Sequence, residues 1–414
     1  MPRWFPLVIL LVPLFGACHR SSRAGSTADR HVLLITVEGL RFDAVSAYAP
    51  WCRAGSEGGL DHPWQTPNID RLAGHALLYG YALAPSSWCA PSLAALLCGQ
   101  YPSDLGFRSL KEPLDGEAVS LAEVLQRAGW HTQAITEHPF LDDQTNLDQG
   151  FDQWRHIPGV DARIRQDQAM EAALKAIDSF GAEPQLLWLQ LGSLGPPYPD
   201  AEGRPGLTRA EWLRDRDAWN EQQLADLRTL YHLEVERIDR AVGQLLDALD
   251  RRGMGSRTVV VLCGSNGVEL FEHGLIGDAT GLSAELTRVP LMLSVSGEVS
   301  GAIEDPVSLI DVAPSILRIL GRSAPPRWQG VSVLPREPLT DRSLRSELDR
   351  VRRQRALLRG DWKLVWDKDW SAPRLFAVHG DPFETKDMAD QRGGERAELE
   401  RELQAVDPAA FQEQ

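Results

Sequence analysis

The sequence predicts an α/β protein: a doubly wound, mostly parallel sheet flanked by helices, with a small C-terminal α+β subdomain. Short apolar runs rich in β-branched residues recur at 31–37, 132–136, 186–191, 258–263 and 290–295. Near-continuous apolarity of this kind marks strands covered on both faces. Helical patterns separate the runs, and such alternation points to a doubly wound sheet. The composition agrees: 414 residues, 43% hydrophobic and 24% charged, exclude a disordered, collagenous or coiled-coil chain.

Taken in order, the first run ends in Glu38-Gly39-Leu40-Arg41-Phe42-Asp43. Cys89 then stands just before a helix start, with Pro91 in the first turn. Leu121, Val124, Leu125 and Ala128 recur at helical spacing before Gly129. The clearest helix carries the stripe Leu224, Leu227, Tyr231, Val235, Ile238, Val242, Leu245 and Leu249, with Gly253 as its stop. After Pro325-Pro326 and Pro335 the pattern changes. Residues 345–359 are densely charged, 362–366 and 374–377 read as short antiparallel strands, and a charged helix covers about 394–405. The expected organisation is a main domain over 31–335 and the subdomain over 336–414.

At the N-terminus, Arg3 precedes an apolar run over residues 4–17. A bilayer needs about 20 residues, so the run is too short to span one and suits an export signal. Leu14-Phe15-Gly16-Ala17-Cys18 resembles a bacterial lipoprotein box, which implies a signal peptide over 1–17, a lipidated Cys18 and a tether to residue 30. The protein is then expected at the bacterial cell envelope, held to a membrane by its lipid, with secretion as the alternative. A net charge of -15 argues against sequence-independent nucleic-acid binding, which needs cationic contacts to phosphates. Cys52, Cys89, Cys98 and Cys263 show no CxxC zinc pattern, and their spacing pairs none of them, although an exported protein could form disulfides. Buried small hydrophobes are their expected state.

Doubly wound sheets bind ligands at the carboxyl ends of their strands. Glu38 falls just past the first strand, where a carboxylate can hold a hard cation, cap a helix or pair with arginine. A helix N-terminus stabilises an anion and lowers a thiol pKa, so Cys89 is a candidate nucleophile.

The order of a strand with a carboxylate, Thr66-Pro67-Asn68-Ile69-Asp70-Arg71-Leu72, Cys89-Ala90-Pro91-Ser92, and later Ser265-Asn266-Gly267 and Glu272-His273-Gly274 resembles the sulfatase family of the alkaline phosphatase superfamily. The resemblance spans nearly the whole mature chain. It also takes in Ser308-Leu309-Ile310-Asp311 and Arg359-Gly360-Asp361-Trp362-Lys363. It implies a formylglycine made from the cysteine of a Cys/Ser-x-Pro-x-Arg motif, and a Ca²⁺ held by three Asp and one Asn or Gln. It also implies assisting lysines and histidines, and a sulfated glycan or other sulfate ester as substrate.

Carried over residue by residue, Cys89 and His138 are the catalytic candidates, and Glu38, Ser265 and Asn266 the metal ligands. Leu93 stands where the motif has arginine, which argues against formylglycine at Cys89. Val37 and Ser265 stand where carboxylates belong, which weakens the ligand set for Ca²⁺. Gly195 replaces an expected histidine, and the expected lysines fall near Glu137 and near Asp278 and Ala279. A catalytically degraded relative that keeps the fold for binding is therefore the favoured expectation. The alternative is an active sulfuric ester hydrolase, or a related phosphoester hydrolase, using Cys89 and a divalent cation. A third arrangement would use Glu38, His138, Glu269, Glu272 or His273 with a different metal. Segments 50–65 and 198–223 are the expected rims, where Trp64, Trp212 and Trp219, with Trp88, could stack on sugar rings or simply pack.

Overall fold

The computed structural model describes residues 30–52, 64–108, 112–196, 198, 219–297, 299–334, 339, 342–350 and 352–411. Eight strands form the main sheet: β1 His31–Glu38, β2 Leu77–Tyr79, β3 His131–Thr136, β4 Gln153–His156, β5 Gln185–Ser193, β6 Thr258–Asn266, β7 Leu291–Ser294 and β8 Gly301–Ile303. Their order across the sheet is β8-β2-β7-β6-β1-β5-β3-β4. The run from β6 to β4 is wholly parallel. Strand β7 pairs antiparallel with both β2 and β6. This is the mixed, mostly parallel sheet that the apolar runs predict; the reversed β7 and the short β2, β4 and β8 are not visible in them.

Side chains alternate across β1. Leu33, Ile35 and Val37 enter one core, Val32 and Leu34 the other. On the first face lie α1 Pro67–Ala73, α4 Ala162–Asp178 and α5 Glu221–Arg251; on the second lie α2 Cys89–Cys98, α3 Leu121–Arg127 and α6 Val312–Ile319. Helix α5 buries the stripe that the sequence marks, including Leu227, Tyr231, Val235, Ile238, Val242, Leu245 and Leu249, and Gly253 follows at a φ of +64°. Ser120 caps α3 by a capping box with Glu123.

The C-terminal part is an antiparallel sheet of β9 Ser343–Asp349, β10 Arg353–Arg359, β11 Trp362–Asp367 and β12 Arg374–Ala377, with α7 Gly393–Val406 packed on β10 and β11. Strands β9 and β10 occupy the stretch that reads as a charged segment. The expected domain junction after residue 335, and Cys18 with its leader, lie outside the described residues, as do Trp212 and most of both expected rims. Trp88 packs with Leu282 and Val365, Trp64 tilts against His232, and Trp219 packs on the first core; all three serve packing.

Candidate active site at the carboxyl ends of the strands

Strand β1 delivers Glu38 to the site. Its register shifts between Val37 and Glu38 against both neighbours, placing Glu38 opposite Ser193 and Asn266. Such an irregularity re-aims a side chain at a strand end. Gly39 turns the chain next at a φ of +78°, where an added Cβ would lie 3.0 Å from the Cβ of Leu194. Helix α2 begins at Cys89, β3 ends just before Glu137 and His138, and β6 ends in Ser265 and Asn266. All five predicted site residues are buried at this edge of the sheet.

One donor atom each from Glu38, Cys89 and His138 lies within 4.8 Å of the others. His138 Nε2 stands 3.5 Å from Glu38 Oε1, while Glu38 Oε2 is buried with no hydrogen-bond partner. The Phe140 N–H donates to His138 Nδ1 at 3.1 Å, and the His138 N–H donates to Gln190 Oε1 at 3.0 Å, so the ring is held from both ends of its loop. The Ser265 hydroxyl donates to Asn266 Oδ1 at 2.8 Å, and its oxygen lies 3.6 Å from Cys89 Sγ. Ser92 donates to the Ser265 carbonyl at 2.5 Å, tying α2 to β6.

Expected metal ligands and expected catalytic residues are thus regrouped. The structure gathers Glu38 with Cys89 and His138. Ser265 stands beside Cys89 and donates to Asn266, whose amide in turn donates to the Gly267 carbonyl at 3.0 Å. A Ca²⁺ needs six to eight oxygen ligands. A carboxylate, a thiol and an imidazole do not fit it.

Burial pushes the Cys89 thiol well above its ordinary pKa, and the charges of Glu38 and Asp278 push it further. The helix N-terminus does not overcome desolvation. The Glu38 and Asp278 charges also raise the pKa of His138 against its burial. Burial pushes Glu137 up to about 7, although it accepts a hydrogen bond from the Gly192 N–H and lies within the field of Arg165. A cavity of about 60 Å³ opens beside Glu38, lined also by Gly39, Gly195, Pro196, Val268, Gly277 and Asp278. Glu137 and Asp278 are the participants that the sequence-derived residue set lacks. Their signal was their place, near the positions where the resemblance puts lysines.

Of the third arrangement, Glu38 and His138 lie in this site, whereas Glu269, Glu272 and His273 lie elsewhere. Glu272 pairs with Arg41 at 2.5 Å, and His273 pairs with Glu269 at 3.1 Å. Glu269 and His273 line a different cavity, of about 230 Å³, against the C-terminal sheet.

Buried ionisable groups gathered at the carboxyl ends of the strands of a doubly wound sheet mark the place where such α/β proteins bind or transform ligands. The comparisons make this particular. The family model described as Sulfatase matches residues 30–322, and the chain belongs to the sulfatase family. It is 22% identical to an arylsulfatase K from Xenopus laevis, over 82% of this chain and 77% of that one. It is also 22% identical to an N-acetylglucosamine-6-O-sulfatase from Bacteroides thetaiotaomicron, over 66% of each chain. The structure superposes on that of another putative sulfatase from Bacteroides thetaiotaomicron with a TM-score of 0.75 at 17% identity, covering 92% of this chain and 93% of that one. Among the described residues no helix is long and apolar enough to cross a membrane.

Proposed function

We propose that this chain is a sulfatase-family protein of the bacterial cell envelope that no longer hydrolyses sulfate esters and keeps the fold for binding. The reversed charge of the strand-end pocket carries this reading. Transfer of a sulfuryl group needs cations where negative charge develops, and each preorganised stabilising group that is lost costs about 3–4 kcal/mol. Here the expected lysines fall near Glu137 and near Asp278 and Ala279, with Leu93 at the arginine position and Gly195 at the histidine position. The remaining nucleophile candidate, Cys89, is fully buried, and burial raises its thiol pKa.

The names of the relatives point to sulfated sugars as the ligand class. Binding of such a ligand would rest on contacts outside the acid-rich cavity. A lipid on Cys18 would hold the protein at the membrane, and Cys18→Ser would then move it to the soluble fraction. Hydrolysis of an aryl sulfate and of 6-O-sulfated N-acetylglucosamine tests the reading. Turnover equal to that of Cys89→Ala supports it, and turnover that Cys89→Ala abolishes overturns it.

A further inference from the structure

We propose that Glu38, Cys89 and His138 form a site for a borderline transition-metal dication of the Zn²⁺ class. The donors are one carboxylate oxygen, one sulfur and one imidazole nitrogen, a set that selects such ions over the hard Ca²⁺. Their spacing is close to what coordination needs. Tetrahedral bonds of about 2.0–2.3 Å place neighbouring donors roughly 3.3–3.8 Å apart. His138 Nε2 and Glu38 Oε1 already stand 3.5 Å apart, and no donor pair exceeds 4.8 Å.

A second observation points to a ligand independently of spacing. Glu38 is 5% exposed, yet its Oε2 has no partner, and a buried carboxylate oxygen without a partner is costly unless something cationic meets it. The ligands also sit on rigid elements, a strand end, a helix N-terminus and the residue two past a strand end, which suits a preorganised site. The cavity beside Glu38 has room for a water, with Asp278 in its wall.

Coordination changes two protons. The Cys89 Sγ–H proton leaves to solvent as the S–metal bond forms. His138 Nε2 must present its lone pair, so the neutral ring carries its proton on Nδ1. The hydrogen bond from the Phe140 N–H to Nδ1 is then given up.

The inference rests on Cys89 remaining a thiol, as the proposed function requires. The full mature chain, stripped of metal with a chelator and with the mass of its Cys89 peptide recorded, is titrated with Co²⁺. The expected result is a thiolate-to-cobalt charge-transfer band saturating at one equivalent and bleached by Zn²⁺. Cys89→Ser abolishes the band, Cys98→Ser keeps it, and Glu38→Gln and His138→Gln each weaken binding by more than about tenfold. A wild-type protein with an intact Cys89 thiol and no such band overturns the metal site alone, as does a band that survives Cys89→Ser. An aldehyde at position 89 overturns both the metal site and the loss of sulfatase chemistry.

Discussion

Glu38 and Arg41 stand three residues apart at the end of the same strand, and both are buried, yet their surroundings are opposite. Arg41 donates to both carboxylate oxygens of Asp43 at 2.9 and 2.8 Å, to Glu272 at 2.5 Å and to the Val268 carbonyl at 3.2 Å. Its neighbours hold its pKa well above the ordinary range against full burial, and its own charge helps hold Glu272 below the usual carboxylate range. Glu38 has one charged contact, His138 at 3.5 Å, and an oxygen with no partner. Saturated charge is a scaffold device, and unsatisfied buried charge marks a place where something else binds or reacts. A saturated cation recurs at the C-terminal sheet, where Lys363 donates to Glu384, Thr287 and the Leu282 carbonyl within 3.0 Å.

The largest effect that tests this contrast is at Arg41. Arg41→Met leaves Asp43 and Glu272 buried without their cation and is expected to cost about 3–5 kcal/mol in denaturant unfolding. A cost below about 1 kcal/mol would show that the cluster is not structural. Glu38→Gln, in metal-free protein, is expected to stay within about 1 kcal/mol of wild type, because it removes one acid from a group of acids and keeps an oxygen acceptor. A loss as large as that of Arg41→Met would place Glu38 in the scaffold.

The smallest expected effect is a pH slope. His273 is pushed up to about 9, first by its hydrogen bond to Glu269. Its folded pKa exceeds the unfolded value, so its contribution is complete below about 6.5 and is lost as pH rises through about 9. Glu137, pushed up to about 7 by burial, holds its proton longer folded than unfolded, so stability falls as pH rises from about 4.5 to 7. The melting temperature is therefore expected to fall from acid to mildly alkaline pH, and His273→Gln to flatten the curve above neutrality. A melting temperature that rises between pH 7 and 9 would contradict the His273 assignment, and one that rises between about pH 4.5 and 7 the Glu137 assignment.

Much of the fold was legible because burial on both faces leaves continuous apolar runs, as in β1, β5 and β6. Strands β9 and β10 were not, because their charges are satisfied internally: buried Arg355 pairs with Asp349 and Asp407, and Arg345 with Asp104. Ion pairing of that kind makes a strand read as a solvated segment. The direction of β7 was hidden too, since apolarity reports burial and not strand sense. At the site, the residue types and the missing cations could be read directly. The state of Cys89 could not, because it depends on how deeply the fold desolvates the thiol, and the grouping of Glu38 with Cys89 and His138 depends on three elements meeting.

The central claim is that the strand-end pocket has exchanged sulfatase chemistry for an acid-rich, thiol-bearing site, and the mass of the proteolytic peptide that contains Cys89 tests it most directly. The account predicts the unmodified cysteine mass, with the thiol alkylated only after unfolding, as its full burial requires. A peptide carrying an aldehyde in place of the thiol would contradict it.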